Sequence, residues 1–145
     1  MISNRSTVYL FVASSRDIVR EDRDLSKLGI INIWTPEQPC SITDPTICRH
    51  IQRDRASPYG WLLKSRVSEQ SLLEDHVRDI VEILRSVGSR IRKDGAELEC
   101  LAVEKVVQGG TCPQQWEAGW FAQFAELGVA VAICVEFLSP DSEEV

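Results

Sequence analysis

The chain has 145 residues, with 22 Asp and Glu against 16 Lys and Arg, and therefore a formal net charge of -6. A single domain of this size buries enough apolar surface to need neither disulfides nor a bound metal. The acidic balance, without a strong basic stripe, argues against nucleic-acid binding and suits a basic partner. We expect one domain over residues 1–145, with a frayed acidic tail over 139–145.

The cysteines and the N-terminus predict a cytoplasmic protein. The five cysteines are odd in number, none forms a CxxC pair, and Cys100 and Cys134 lie in apolar runs. The N-terminal segment lacks the charged start and long apolar core of a signal peptide, and its apolar run over 8–13 is too short to span a bilayer. These features favour reduced thiols and no membrane insertion.

The first third of the chain predicts two strands around a short helix. Residues 7–13 (TVYLFVA) are β-branched and aromatic, as in a buried strand. Residues 21–28 predict a charged helix that ends at Gly29. Residues 30–34 predict a short strand, which a proline-rich loop then ends.

A hairpin is predicted next, and a long helix follows it. Residues 47–55 and 61–67 predict two strands across the Ser-Pro-Tyr-Gly turn. From Ser71 to Arg92 the apolar residues recur at steps of three and four and form one stripe that faces a core. The stripe consists of Leu73, Val77, Ile80, Leu84, Val87 and Ile91. Ser71 and Glu74 predict a capping box at the start of this helix.

The last third predicts a strand, a helix and a final strand. Residues 97–107 alternate and predict a strand with one solvent-exposed face. Thr111 or Cys112 is expected to cap a second helix, with Pro113 in its first turn and Gly128 after its end. Residues 129–138 are almost continuously apolar and predict a central strand.

These elements predict an α+β fold. We expect a mainly antiparallel sheet with two or three helices packed on one face, in a ferredoxin-like or duplicated split β-α-β layout.

No reactive groups in the sequence have a spacing that indicates catalysis. The chain contains no GxSxG, P-loop, GxGxxG or HExxH motif. His50 with Cys40 and Cys48 supplies three zinc ligands, whereas a structural site uses four. His76 lies at the edge of the long helix's apolar stripe and is expected to be a packed or half-exposed helix residue. We therefore predict a protein that is not an enzyme, with no metal and no cofactor.

Two sets of residues are candidates for binding. The acidic set would meet a basic partner, and it comprises Asp75, Asp79, Glu97, Glu99 and Glu104. Alternation places Glu97 and Glu99 on one strand face and Glu104 on the other. The second set is Trp34 and Trp61, which flank loop and turn signals and either line an apolar pocket or pin loops to the core.

Several short motifs occur in a characteristic order. They are Leu28-Gly29-Ile30 after a charged helix, Trp34-Thr35-Pro36, Tyr59-Gly60-Trp61-Leu62, Leu73-Glu74-Asp75-His76-Val77, and Trp116-Glu117-Ala118-Gly119-Trp120-Phe121 before Leu127-Gly128-Val129. In this order, over about residues 8–137, the chain resembles the bacterial family called domain of unknown function 4279. After the Thr-Pro pair that family usually has a basic residue and a glycine, where this chain has Glu37-Gln38-Pro39-Cys40. Small proteins of this kind are often encoded beside toxins, so the resemblance implies an immunity role.

The sequence therefore favours a non-catalytic protein-binding module. Its specific form would be a cytoplasmic immunity protein that neutralises a cognate, basic bacterial toxin. The alternative is a small-molecule or nucleotide-binding domain with a pocket near Trp34 and Trp61.

Overall fold

Five strands and two helices make up the computed structural model, which describes residues 4–15, 30–37, 59–93, 96–107 and 115–138. In chain order the elements are β1 (Arg5–Ser14), β2 (Ile30–Trp34), β3 (Tyr59–Lys64), α1 (Leu73–Lys93), β4 (Glu97–Val107), α2 (Ala118–Glu126) and β5 (Ala130–Leu138). The strands form one sheet in the order β2-β3-β1-β4-β5. Neither helix is long and apolar enough, within these ranges, to cross a membrane.

The sheet is mixed, and the α+β class is confirmed. β1 pairs antiparallel with β3 and β4, and β2 pairs antiparallel with β3, whereas β5 runs parallel to β4. A crossover that contains a helix, here α2, brings two successive strands into parallel pairing. A split β-α-β unit would place another strand between β4 and β5, but in the described sheet these two strands are direct neighbours.

The prediction that residues 129–138 form a central strand is wrong. β5 lies at an edge of the described sheet, and β1 is the middle strand. The side chains of β1 are almost all buried, while those of β5 alternate between exposed and half-buried. A continuous apolar run shows that a segment is a strand, but long-range pairing decides where the strand lies.

The first core cluster lies between the helices and one face of the sheet, which we call the helix face. All six residues of the predicted α1 stripe are buried there, at 3% exposure or less. On the sheet side this cluster contains alternate residues of the three strands β1, β3 and β4: Val8, Leu10, Val12, Trp61, Leu63, Leu98, Cys100 and Ala102. Phe124 joins it from α2, so both helices pack on the same face.

A second buried cluster occupies the opposite face of the sheet. Its members are Phe11, Ala13, Trp34, Leu62, Leu101 and Val103. β4 is therefore buried on both faces over its central residues, and the prediction of one solvent-exposed face is wrong. The alternation in β4 predicted which residues share a face, but not that both faces would be covered.

The helix ends differ in part from the sequence prediction. α1 begins at Leu73, and the Leu72 carbonyl accepts hydrogen bonds from the N–H groups of Asp75 and His76, so the capping box predicted at Ser71 is not the start of the helix. α2 begins at Ala118, well after the predicted cap.

The predicted stop at Gly128 is confirmed. This residue has φ 71°, and its N–H donates to the Ala125 carbonyl. The N–H of Val129 donates to the Phe124 carbonyl at 2.9 Å. Together these bonds form a Schellman motif, in which glycine tolerates the left-handed conformation.

Other predictions lie outside the described residues. They are the helix over 21–28, the strand over 47–55, the cap at Thr111 or Cys112 with Pro113, and the tail over 139–145. Cys40, Cys48 and His50, at which no zinc site was predicted, also lie outside the described residues.

Gly60 is required by the packing of Trp34 across the β2–β3 pair. A Cβ added at Gly60 would overlap the indole atoms Cζ2 and Cε2 of Trp34 and lie 2.8 Å from Cη2. We expect Gly60→Ala to lower the free energy of unfolding by about 1–3 kcal/mol, as overpacking does in buried sites. Urea unfolding monitored by circular dichroism measures this change.

Gly119→Ala is the matched control, because a Cβ at Gly119 has no neighbour within 4 Å. Alanine is the better helix former, so this change is expected to be neutral or to stabilise by up to about 1 kcal/mol. Equal losses in the two variants would contradict the role given to the Trp34–Gly60 contact.

Candidate binding surface

The two tryptophans predicted to share a pocket lie on opposite faces of the sheet. Trp34 packs in the second cluster, where its ring centroid is 5.2 Å from that of Phe11. Trp61 is 1% exposed and packs beneath the helices in the first cluster. Both side chains are core residues, and no pocket in the described part of the chain is lined by the two together.

The five predicted acidic residues also do not form one patch. Glu97 is exposed and Glu99 half-buried near the start of β4. Glu104 is only 3% exposed, and one of its carboxylate oxygens lies 3.3 Å from the hydroxyl of Ser6, which donates to it. Asp75 and Asp79 lie on the first turns of α1. The acidic set is thus divided among three parts of the surface and interior.

Asp79 is held by Arg66 in a specific geometry. The Arg66 backbone N–H donates to Oδ2 of Asp79 at 2.7 Å, and the guanidinium donates to Oδ1 through Nη2 at 2.6 Å and through Nε at 3.0 Å. Burial acts to raise the pKa of Asp79, but the bonds from the Arg66 side chain and backbone outweigh it, so the pKa is lowered. Because these bonds occupy the carboxylate, Asp79 serves to join the segment after β3 to α1.

His76 and Ser65 form a buried polar pair beside this ion pair. Ser65 Oγ lies 2.5 Å from His76 Nδ1, and the exposures are 3% for Ser65 and 0% for His76. Burial lowers the pKa of His76, while the Ser68 backbone and the Asp75 carboxylate act in the opposite direction. The sequence left His76 either packed or half-exposed, and the structure buries it completely. No signal in the sequence indicated that Ser65 would be its partner.

The Ser65–His76 pair resembles two members of a catalytic triad in composition only. A nucleophile and its base must reach a substrate, and neither of these side chains reaches the surface. The Ser65 N–H also donates to the Val8 carbonyl at 2.8 Å, so this residue connects β1 with the segment that leads to α1. We interpret the pair as structural.

Cys100 and the potential metal ligands of the described residues were the remaining candidates for a reactive site. Cys100 is a free thiol, and burial raises its pKa far above the ordinary value. Such a thiol stays protonated and unreactive. Within the described ranges, no three His, Cys, Asp or Glu side chains are placed to hold a metal ion.

Three large apolar side chains of β5 are exposed. Ile133, Val135 and Phe137 are 44%, 37% and 67% exposed, and we call these three residues the apolar stripe. Their register partners on β4 are Ala102, Glu104 and Val106, so the stripe lies on the helix face. Among the described residues on this face, Val129 just before β5 and Val131 near its start pack against the first core cluster.

The edge of β5 carries few of the devices that prevent strands from pairing with other chains. Such edges are usually protected by proline, lysine, a bulge or inward-pointing charge. The nine residues AVAICVEFL contain one charged side chain, Glu136, and no proline. An apolar face on a long edge strand that lacks these devices is typical of a surface that accepts another polypeptide.

Comparison with protein-family models, with curated proteins and with solved structures finds no match for this chain. The resemblance to the domain of unknown function 4279 therefore remains a prediction from the sequence, and the functional inference has to come from the geometry.

The pH dependence of stability tests the environment of His76. Because its pKa is lowered by burial, the unfolded chain binds a proton before the folded chain does as the pH falls below about 6.5. We expect the free energy of unfolding to be highest above that pH and to decrease below it. His76→Asn removes the titrating group and should flatten this dependence in urea titrations between about pH 8 and pH 5. If the free energy of unfolding changed with pH in the same way in both proteins, the lowered pKa of His76 would be contradicted.

The ion pairs on α1 give a second test. Asp79→Asn weakens three bonds from Arg66, and we expect a loss of about 1 kcal/mol, a modest value because the Arg66 side chain is 54% exposed. Glu74→Gln is the matched control, since Glu74 pairs with Arg78 at 2.7 Å but both side chains are more than half exposed. Its loss should be at most about 0.5 kcal/mol. Urea unfolding of both variants near neutral pH measures the two losses. A larger loss of unfolding free energy in Glu74→Gln than in Asp79→Asn would contradict the structural role given to the Arg66–Asp79 pair.

Proposed function

We propose that this chain is a non-catalytic protein-binding module and that the edge strand β5 is its docking surface. The supporting observation is the apolar stripe, which leaves Ile133, Val135 and Phe137 exposed on a strand edge. A partner polypeptide that adds a strand there would pair its main chain with β5. Its alternate side chains would cover the stripe.

The size of the stripe indicates what the partner must contribute. Fully burying a large apolar side chain is worth about 1.5–3 kcal/mol, so covering three partly exposed ones gives about 3 kcal/mol. Association costs at least about 4 kcal/mol in lost freedom of motion. The stripe alone is therefore too small, and the partner has to supply main-chain hydrogen bonds and apolar side chains of its own.

The charge of the chain favours a basic partner. The net charge is -6, and the one charged side chain of β5 is Glu136. Long-range attraction accelerates the encounter with a positively charged protein and opposes the encounter with a second acidic copy. A basic polypeptide with an extended, alternately apolar segment fits both requirements.

Neutralisation of a toxin is the specific form of this proposal. It rests on the resemblance to the domain of unknown function 4279 and on the acidic charge. In this form the module would bind a basic toxin domain in the cytoplasm and block it by occupying its surface.

Substitution of Phe137 tests the docking surface. The full chain with Phe137→Lys should bind the partner captured by the wild type from the native host at least about tenfold more weakly, because a lysine on a strand edge opposes pairing. Leu72→Lys is the matched control, since Leu72 is 62% exposed and lies beside α1. It should bind like the wild type when the purified pair is measured by calorimetry.

Three outcomes would contradict the proposal. They are capture of no protein by the wild type, unchanged affinity of Phe137→Lys, and cross-links that map the partner away from β5. A concentration-dependent homodimer lost in Phe137→Lys, seen by analytical ultracentrifugation, would instead assign β5 to a second copy and overturn the basic partner.

A further inference from the structure

The chain between β3 and α1, residues 65–72, is held to the helix by polar side chains, and we call it the connecting segment. Ser65 Oγ lies 2.5 Å from Nδ1 of His76, and Arg66 donates to the Asp79 carboxylate through its backbone N–H and its guanidinium. Within the connecting segment Ser65 alone is buried, and the other side chains are exposed or half-buried. Because it buries so little apolar surface, the connecting segment is of the kind that opens locally while the core stays folded.

His76 lies against the connecting segment with its ring fully out of contact with solvent. Its exposure is 0%, and Nε2 has no hydrogen-bond partner among the described residues. A neutral imidazole carries one N–H, whereas the charged ring carries an N–H on both nitrogens. Protonation therefore leaves a buried N–H of a charged group without an acceptor, which costs more than an ordinary lost hydrogen bond.

The charged and polar groups that face the ring come from α1, from the end of β3 and from the connecting segment. Burial is the strongest influence and lowers the pKa of His76. The Ser68 backbone and the Asp75 and Asp79 carboxylates favour the charged ring, while Lys64 opposes it. Their combined effect does not outweigh burial, so a charged ring gains most from contact with water. The exposed connecting segment is the layer that separates it from water.

We propose that the connecting segment is a pH-dependent latch, which is closed over neutral His76 and opens when the ring takes up a proton. Opening lets water reach Nε2 and breaks contacts of the connecting segment only, while the buried apolar residues of α1 stay packed. The inference goes beyond the proposed function and does not depend on it. The connecting segment follows β3, which β1 and β4 separate from β5 in the sheet.

Hydrogen exchange of single backbone amides, followed by NMR, tests the latch in the full chain. The N–H of Ser65 donates to the Val8 carbonyl, and that of Arg66 donates to Asp79, so both become exchangeable when the connecting segment opens. After correction for the intrinsic pH dependence of exchange, we expect opening to be constant above about pH 6.5 and to rise by up to about thirtyfold at pH 5. Low urea concentrations should accelerate these two amides much less than the amides of β4, because local opening exposes little surface.

Three variants separate the titrating group from the other contacts of the connecting segment. His76→Asn keeps a polar group near Ser65 but does not titrate, and its opening should be the same at pH 7.5 and pH 5. His50→Gln is the matched control, because it removes the only other histidine of the chain, and it should keep the rise. Asp79→Asn should increase opening about fivefold at every pH, as expected for a weakened ion pair, and should also keep the rise.

The wild type provides a further measurement, which decides the matter even if His76→Asn does not fold. The ring of His76, followed by NMR, should titrate below pH 6.5, and the rise in opening should level off near the pKa measured for the ring. The latch is ruled out if opening at Ser65 and Arg66 does not change with pH, or if His76→Asn keeps the rise. It is also ruled out if urea accelerates these amides as steeply as those of β4, since the whole domain would then be unfolding.

Discussion

The packing of α1 on the helix face of the sheet is the interaction on which the rest of the structure depends. Its six stripe residues are buried against side chains of β1, β3 and β4. At about 2 kcal/mol for each buried side chain, they contribute roughly 12 kcal/mol as an upper bound, comparable to the whole net stability of a typical domain. The same packing brings His76 to Ser65 and Asp79 to Arg66.

The exposed part of β5 follows from the different lengths of helices and strands. α2 and β5 each contain nine residues. A helix rises 1.5 Å per residue and a strand about 3.3 Å, so α2 spans less than half the length of the strand beside it. Core packing reaches Val129 and Val131, and the stripe beyond them stays exposed. A short crossover helix thus leaves part of one face of β5 exposed.

Two of the acidic residues that the sequence predicted for binding are not available at the surface. Asp79 is occupied by Arg66, and Glu104 lies in the interior with Ser6. The net charge of -6 therefore does not single out one acidic face among these residues.

The sequence by itself determined the elements whose signal is local. The period of α1, the stop at Gly128 and the strand character of residues 129–138 depend on neighbours within one or two turns of chain. Only the tertiary structure decided that β5 is an edge strand, that Trp34 and Trp61 lie on opposite faces, and that Ser65 meets His76. These three features depend on which distant strands pair and in what register. Alternation of apolar and polar residues along a strand indicates which residues share a face, but it does not indicate what packs against that face.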